Sequence, residues 1–156
     1  MKHSFATLST VILLGCAAEV WAGPAEEVAQ IAGPRLQAFQ EGNLDAYAAA
    51  YADNAIIQSS LSPFRIEGKD AIRAHLAELF KIYPQRRVFL RQPSTRVYND
   101  DLVIQNNYIV LDLTDQKGQV AALALRSSVT WAKIGGRWQI VDAHTSRLPA
   151  TPQAAQ

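Results

Sequence analysis

The spacing of apolar positions changes its period about halfway along the chain. Behind Pro24, Val28, Ile31, Leu36 and Phe39 recur on one side of a helix. Gly33-Pro34 is expected to interrupt or kink it. Gly42-Asn43 ends this helix and caps a shorter one over Leu44 to Tyr51, with Leu44, Tyr47 and Tyr51 on one stripe. Asp53-Asn54 turns into a short strand, Ala55 to Gln58, and a second short strand follows around Phe64 to Glu67. Ile72, Leu76, Leu79 and Phe80 then mark a helix over Ala71 to Ile82, stopped by Pro84. From Arg86 onward the period becomes two. Strands are predicted over about Arg86 to Val97, Leu102 to Thr114, Gln119 to Lys133 and Arg137 to Ser146. Asp115 to Gly118 and Gly135-Gly136 supply the hairpin turns. Helices first and long antiparallel hairpins last give an α+β fold.

The hairpins let the faces of the sheet be assigned. A two-residue turn at Gly135-Gly136 pairs Trp131 with Ile140, Val129 with Asp142 and Ser127 with His144. Leu125, Ser127, Val129, Trp131, Trp138, Ile140, Asp142, His144 and Ser146 then share one face. Both tryptophans lie on it, so it is expected to meet the core. A four-residue turn at Asp115 to Gly118 carries the register back, pairing Asn106 with Ser127 and Tyr108 with Leu125. The inner face would therefore hold a polar row, Asn106, Ser127 and His144, flanked by Asp142 and Tyr108. A slip of one residue would turn all of these outward.

Composition narrows the function. Of 156 residues, 49% are hydrophobic, and 15 basic residues nearly balance 14 acidic ones for a net charge of +1. Such a chain folds as one globular domain and has no global field to collect phosphates, so nucleic-acid binding is set aside. Lys2, the apolar run from Phe5 to Leu14, and Val20-Trp21-Ala22 read as an export signal over residues 1–22, cut before Gly23. Leu13-Leu14-Gly15-Cys16 offers the alternative of a lipoprotein acylated at Cys16, the one route to a membrane. Leu before the Gly favours simple secretion to the periplasm or beyond. N-terminal sequencing of the mature chain distinguishes the two. Residues 23–149 form the domain and residues 150–156 a disordered tail.

Cleavage after Ala22 removes the single cysteine and the single methionine and leaves two histidines, His75 and His144. Thiol chemistry is excluded on that reading, and a zinc site nearly so. There is no GxGxxG, no Walker loop and no metal-ligand spacing, so no cofactor is expected.

Polar groups on an apolar inner face must be hydrogen-bonded to one another, to water or to a ligand. Asp142 and His144 therefore form the candidate acid–base pair, the carboxyl pushed toward neutrality and the imidazole titrating near neutral pH. The competing reading is a hydrogen-bonded cluster that fixes strand order. Asn106, Tyr108, Ser127, Trp131 and Tyr47 are the candidate ligand contacts. His75, beside the stripe of its helix, reads as a packing or surface residue. Arg86, Arg87, Arg91 and Arg96 read as a solvated edge strand rather than an anion-binding one. Ser128, Thr130, Ala132, Val141, Ala143 and Thr145 give the other face little charge and mark it as a dimer surface.

The order of these motifs resembles the nuclear transport factor 2-like superfamily. Ala50-Tyr51-Ala52-Asp53-Asn54-Ala55 and Gly68-Lys69-Asp70-Ala71-Ile72 are similar to its SnoaL-like and ketosteroid-isomerase-like branches. Val129-Thr130-Trp131, Gly135-Gly136-Arg137-Trp138-Gln139-Ile140-Val141 and His144-Thr145-Ser146 resemble the association domain of calcium/calmodulin-dependent protein kinase. The resemblance implies a cone-shaped curved antiparallel sheet wrapped around N-terminal helices, a cystatin-like α+β barrel. It also implies a pocket at the open end and a homodimer through the outer face. Activities in the superfamily range from isomerases, cyclases and dehydratases to non-catalytic assembly modules. The aspartate base of ketosteroid isomerases has no counterpart in Ile57-Gln58-Ser59-Ser60. Val129 and Thr145 stand where the kinase association domain has pocket arginines, while His144 matches its final histidine. The expectation is an exported SnoaL-like domain that binds a small, largely apolar molecule, with Asp142 and His144 moving protons or water on it. A non-catalytic homodimeric binding or assembly module is the alternative.

Overall fold

A computed structural model describes residues 22–149. Apart from Ala22, the expected export signal lies outside the described residues, as do Cys16 and the tail at 150–156. No helix of the described residues is long and apolar enough to cross a membrane.

The chain runs α1 (Pro24–Glu41), α2 (Leu44–Ala48), β1 (Tyr51–Gln58), β2 (Ile66–Glu67), α3 (Lys69–Ile82), β3 (Gln85–Asn99), β4 (Leu102–Thr114), β5 (Val120–Ile134) and β6 (Arg137–Arg147). It is α+β, as its pattern of periods indicates. The six strands form one sheet in the order β2-β1-β6-β5-β4-β3. Neighbours are antiparallel except β1 and β6, which run parallel because the first long strand closes onto the last.

Pro34 does not break α1. The helix passes through it unbroken, with Gly33 and Pro34 both exposed. Proline removes one backbone donor, and on the solvent side water can satisfy the carbonyl left over. Gly42 ends α1 in the left-handed conformation (φ 80°) that glycine adopts without steric cost. Asn43 then caps α2, its Oδ1 accepting from the Ala46 backbone N–H at 3.0 Å. The second helix is shorter than its stripe suggests, because Tyr51 already belongs to β1.

The helices pack into the concave side of the sheet. Val28, Ile72, Val103, Leu113, Trp131 and Ile140 are the largest side chains sealed from water. The Gly135-Gly136 turn has positive φ at both residues, which matches the twist of the strands it joins. It pairs Lys133 with Trp138 and Trp131 with Ile140, as expected.

Two corrections to the register follow, and they decide which residues look inward. The turn between β4 and β5 holds five residues, Asp115 to Gln119, since Thr114 pairs with Val120. Asp115 Oδ1 accepts from the backbone N–H groups of Lys117 and Gln119, both at 2.8 Å, and so draws Gln119 into the turn. Asn107, not Asn106, therefore faces Ser127, and Ile109, not Tyr108, faces Leu125. The second correction is a β-bulge in β6. Trp131 pairs with Ile140, but Thr130 pairs with Asp142, so Val141 is an extra residue. A bulge restarts the alternation of side chains one position late. Ala143 and Thr145 then look into the cone, while Asp142 and His144 share the parity of Thr130 and Ser128 on the outer face.

Candidate functional site

The concave face and the helices enclose a cavity of about 130 Å³. Its walls come from Leu36 and Phe39 of α1, Tyr47 of α2, Ile57 of β1, and Leu76 and Leu79 of α3. Val88, Ile109, Leu111, Leu125 and Ala143 of the sheet close the rest. That strands from β3 round to β1 meet the same space shows how far the sheet curls. Apolar cavities of roughly 150 Å³ hold a benzene-sized molecule, so the space suits a single-ring ligand.

One side of the cavity is polar. Gln58, Ser59, Ser60 and Thr145 line it, together with His75. The loop after β1 is tied to β6 there, the Ser60 backbone N–H donating to Thr145 Oγ1 at 2.9 Å. Ser59 Oγ accepts from the Leu61 backbone N–H at 3.1 Å. Burial lowers the pKa of His75 below the ordinary imidazole value, so it is neutral at pH 7 and can accept a proton. No carboxylate among the described residues lines this cavity. His75 is its one group that titrates near neutrality.

Phe39, Tyr47 and Tyr51 supply the cavity with an aromatic wall. Phe39, Tyr47 and Phe80 pack with ring centroids 5.2 to 6.4 Å apart, and Tyr47 meets Tyr51 at 6.1 Å. Burial pushes the Tyr47 phenol up, against the pull of Arg35, and keeps it neutral. Behind this wall Arg35 lays its guanidinium 4.0 Å from the Tyr47 ring centroid and donates to Tyr51 Oη at 2.7 Å.

The structure does not gather the residues expected from the sequence into one site. Tyr47 lines the cavity. Ser127 and Trp131 are buried on the inner face, and Trp131 Nε1 donates to Gln105 Oε1 at 3.0 Å. Asn106 and Tyr108 belong to the outer parity of β4, and Tyr108 is exposed. Asp142 and His144 are outside the cavity altogether. His144 is exposed and borders an open polar groove with Ser62, Phe64 and Arg65, which adjoins the cavity through Gln58, Ser59 and Thr145. The expected carboxyl and imidazole of Asp142 and His144 are thus absent from the cavity lining, in which His75 is the one imidazole among the described residues. Ala143 and Thr145, expected on a dimer face, line the cavity instead.

Three further residues carry roles that the sequence pattern hid. His75 was masked by the apolar stripe beside it. Arg35 falls seven residues after Val28 and four after Ile31, at a position of the buried stripe where an apolar residue belongs; that mismatch was the available signal. Arg86 is buried, while Arg87, Arg91 and Arg96 are exposed on the sheet-edge strand β3 as expected. Among the described residues no three His, Cys, Asp or Glu side chains converge as a metal site would require.

Residues 24–149 match the model of the calcium/calmodulin dependent protein kinase II association domain. The chain belongs to that family, within the nuclear transport factor 2-like superfamily. No functionally curated protein matches it. Among solved structures, a Xanthomonas campestris protein provisionally assigned as such an association domain is 21% identical, with a TM-score of 0.72. The match covers 84% of this chain and 95% of that one. A nuclear transport factor 2-like protein of unknown function from Pseudomonas putida KT2440 is also 21% identical, at a TM-score of 0.69, over 81% and 87% of the two chains. A Novosphingobium aromaticivorans protein provisionally assigned as a scytalone dehydratase shares 11% identity at a TM-score of 0.72, over 85% and 89%. At these identities the likeness is one of fold.

Proposed function

We propose that this domain binds a small, largely apolar, single-ring molecule inside its cone, and that His75 is the group that exchanges a proton with it. The observation that carries the reading is the cavity itself, mostly apolar, with Gln58, Ser59, Thr145 and His75 among its lining residues. A neutral imidazole against apolar walls suits proton abstraction from a ring substituent or hydration of an activated double bond. The provisional dehydratase assignment of one structural neighbour agrees with that class of chemistry.

Neutral phenol serves as a probe. It is expected to raise the melting temperature saturably, and Ala143→Phe, which fills the cavity from the β6 side, should abolish the effect. A protein whose melting is unmoved by phenol at any soluble concentration, and that releases no small molecule on extraction, would not bind as proposed.

The His75 pKa fixes the pH dependence. A folded-state pKa below the unfolded value of 6.5 means that the unfolded chain binds more protons in that range. Stability is therefore complete above about pH 6.5 and falls as pH drops toward the folded pKa. Phenol affinity should fall over the same window, because a ligand further desolvates the imidazole. His75→Gln should flatten both profiles between pH 5 and 7 while leaving the pH 8 values nearly unchanged. Profiles identical in the variant and the parent would remove His75 from the site.

The assembly reading rests on exposed apolar side chains of the outer sheet, Phe89 and Tyr108, 44% and 43% accessible. Light scattering of the parent and Tyr108→Arg tests it. Self-association that the substitution abolishes supports a homodimer through this face; a parent monomeric at micromolar concentration excludes it.

A further inference from the structure

Arg35 is nine-tenths buried, yet no carboxylate of the described residues meets it. Glu27 and Asp45, on the two helices beside it, are engaged elsewhere. Glu27 of α1 accepts from Lys133 Nζ at 2.7 Å and from Trp138 Nε1 at 2.6 Å, and these contacts lower its pKa. Asp45 of α2 is paired with Arg73. Arg35 gives one hydrogen bond to Tyr51 Oη and lies over the Tyr47 and Tyr51 rings, while its buried Nε–H has no partner among the described residues. Contacts to aromatic faces return about 0.5–2 kcal/mol. Withdrawing a guanidinium from water costs several kcal/mol, and an unmet buried donor adds to the deficit. Among the described residues the guanidinium is held by two tyrosines and by no carboxylate, and its Nε–H is left unmet.

Arg35 also forms part of the wall of a cleft of about 270 Å³ between α1, α2 and β6, separate from the cavity inside the cone. The rest of that wall is Ile31, Pro34, Ala46, Ala49, Ala50 and Trp138. The lining is apolar apart from one cation and the tryptophan edge. We infer that this cleft is a second ligand site, which takes a small monocarboxylate with an apolar body, the carboxylate meeting Arg35 and the body lying against the alanines and Trp138. Charge selects the class. Arg35 is the one cationic residue in the cleft wall, and the Lys133 ammonium is already neutralised by Glu27, so a dianion such as phosphate would bring an uncompensated charge into an apolar cleft. Guanidinium suits carboxylate because its N–H groups fan out in one plane.

The test is calorimetric titration of the whole protein with benzoate. Saturable binding is expected, weakened about tenfold or more by Arg35→Gln and by less in Arg35→Lys. Arg35→Gln removes a buried group and the variant can fail to fold, so Ala49→Phe provides an independent arm. Ala49 is exposed at the end of α2, and its enlargement fills the cleft while leaving the Arg35 side chain in the sequence. It should abolish benzoate binding, whereas Ala143→Phe, which fills the cone, should leave the affinity within about twofold. Inorganic phosphate should bind more weakly than benzoate. Absence of benzoate binding, or an affinity that follows Ala143→Phe and ignores Ala49→Phe, overturns the site. Phosphate binding as tight as benzoate overturns the ligand class. Neutral phenol reports on the cone separately, so failure of one site is not failure of the other.

Discussion

Replacing Arg86 by Met is expected to destabilise the domain by about 3 kcal/mol, although three other arginines of the same strand can be replaced at little cost. Arg86 Nε donates to Phe39 O at 2.8 Å, near the C-terminus of α1. Its Nη1 reaches Phe80 O at 3.5 Å and also donates to Tyr83 O, at the end of α3. One guanidinium thus serves the last turns of two helices, where unpaired carbonyls and the negative end of the helix dipole accumulate. The same group lies 4.1 Å from the Phe80 ring centroid. Methionine would fill much of the volume and deprive these carbonyls of the guanidinium, leaving Phe39 O only the long bond from the Gly42 N–H at 3.4 Å. Lysine keeps the charge but not the planar fork, so Arg86→Lys should recover only part of the loss. Arg87→Met, one residue along on the exposed side, should stay within about 0.5 kcal/mol. Urea unfolding of the three variants measures this; equal midpoints for Arg86→Met and Arg87→Met would show that Arg86 holds nothing together.

The bulge at Val141 leads to a contrast of similar size. Asp142→Ala and His144→Ala are expected to change stability by less than about 0.5 kcal/mol, because both side chains have the outer parity of the sheet. Ala143→Asp should cost about 2–4 kcal/mol at neutral pH, since it places a carboxylate against Leu125 and Ile57 with no cation lining the same cavity. Phenol binding should be lost with it. Denaturant midpoints for the three variants decide the matter. A large loss in Asp142→Ala together with a tolerant position 143 would mean that the alternation continues unbroken through Val141.

Local chemistry made most of the fold legible. Ile72, Leu76, Leu79 and Phe80 repeat with the helical period, and α3 appears where they do. Gly42-Asn43, Pro84 and Gly135-Gly136 punctuate the chain because their backbone preferences act within a few residues and need no tertiary partner. The hairpin register near Gly135-Gly136 was legible for the same reason, since the turn fixes the first pairs beside it. The family could be read from separated motifs in a constant order.

The candidate site was not legible, and the reason is parity. With a side-chain period of two, a single extra residue reverses every position beyond it. One such residue joined the turn at Gln119, where the side chain of Asp115 claims its N–H, and another was absorbed at Val141 by the bulge. The polar row expected at Asn106, Ser127 and His144 is in fact Asn107, Ser127 and Thr145, displaced by one residue on each flanking strand. Nothing in the identity of Val141 announces a bulge, which arises because the sheet must bend to close around its helices. The same closure brings His75 of α3 to the cavity, buries Arg86 at two helix ends and encloses Arg35 behind Tyr47. The sequence by itself determined the elements, their order and their family, because those follow from interactions over a few residues. Which face of each strand meets the cavity, and which charged groups lose their water, was decided by tertiary structure alone, because both depend on contacts between residues far apart in the chain.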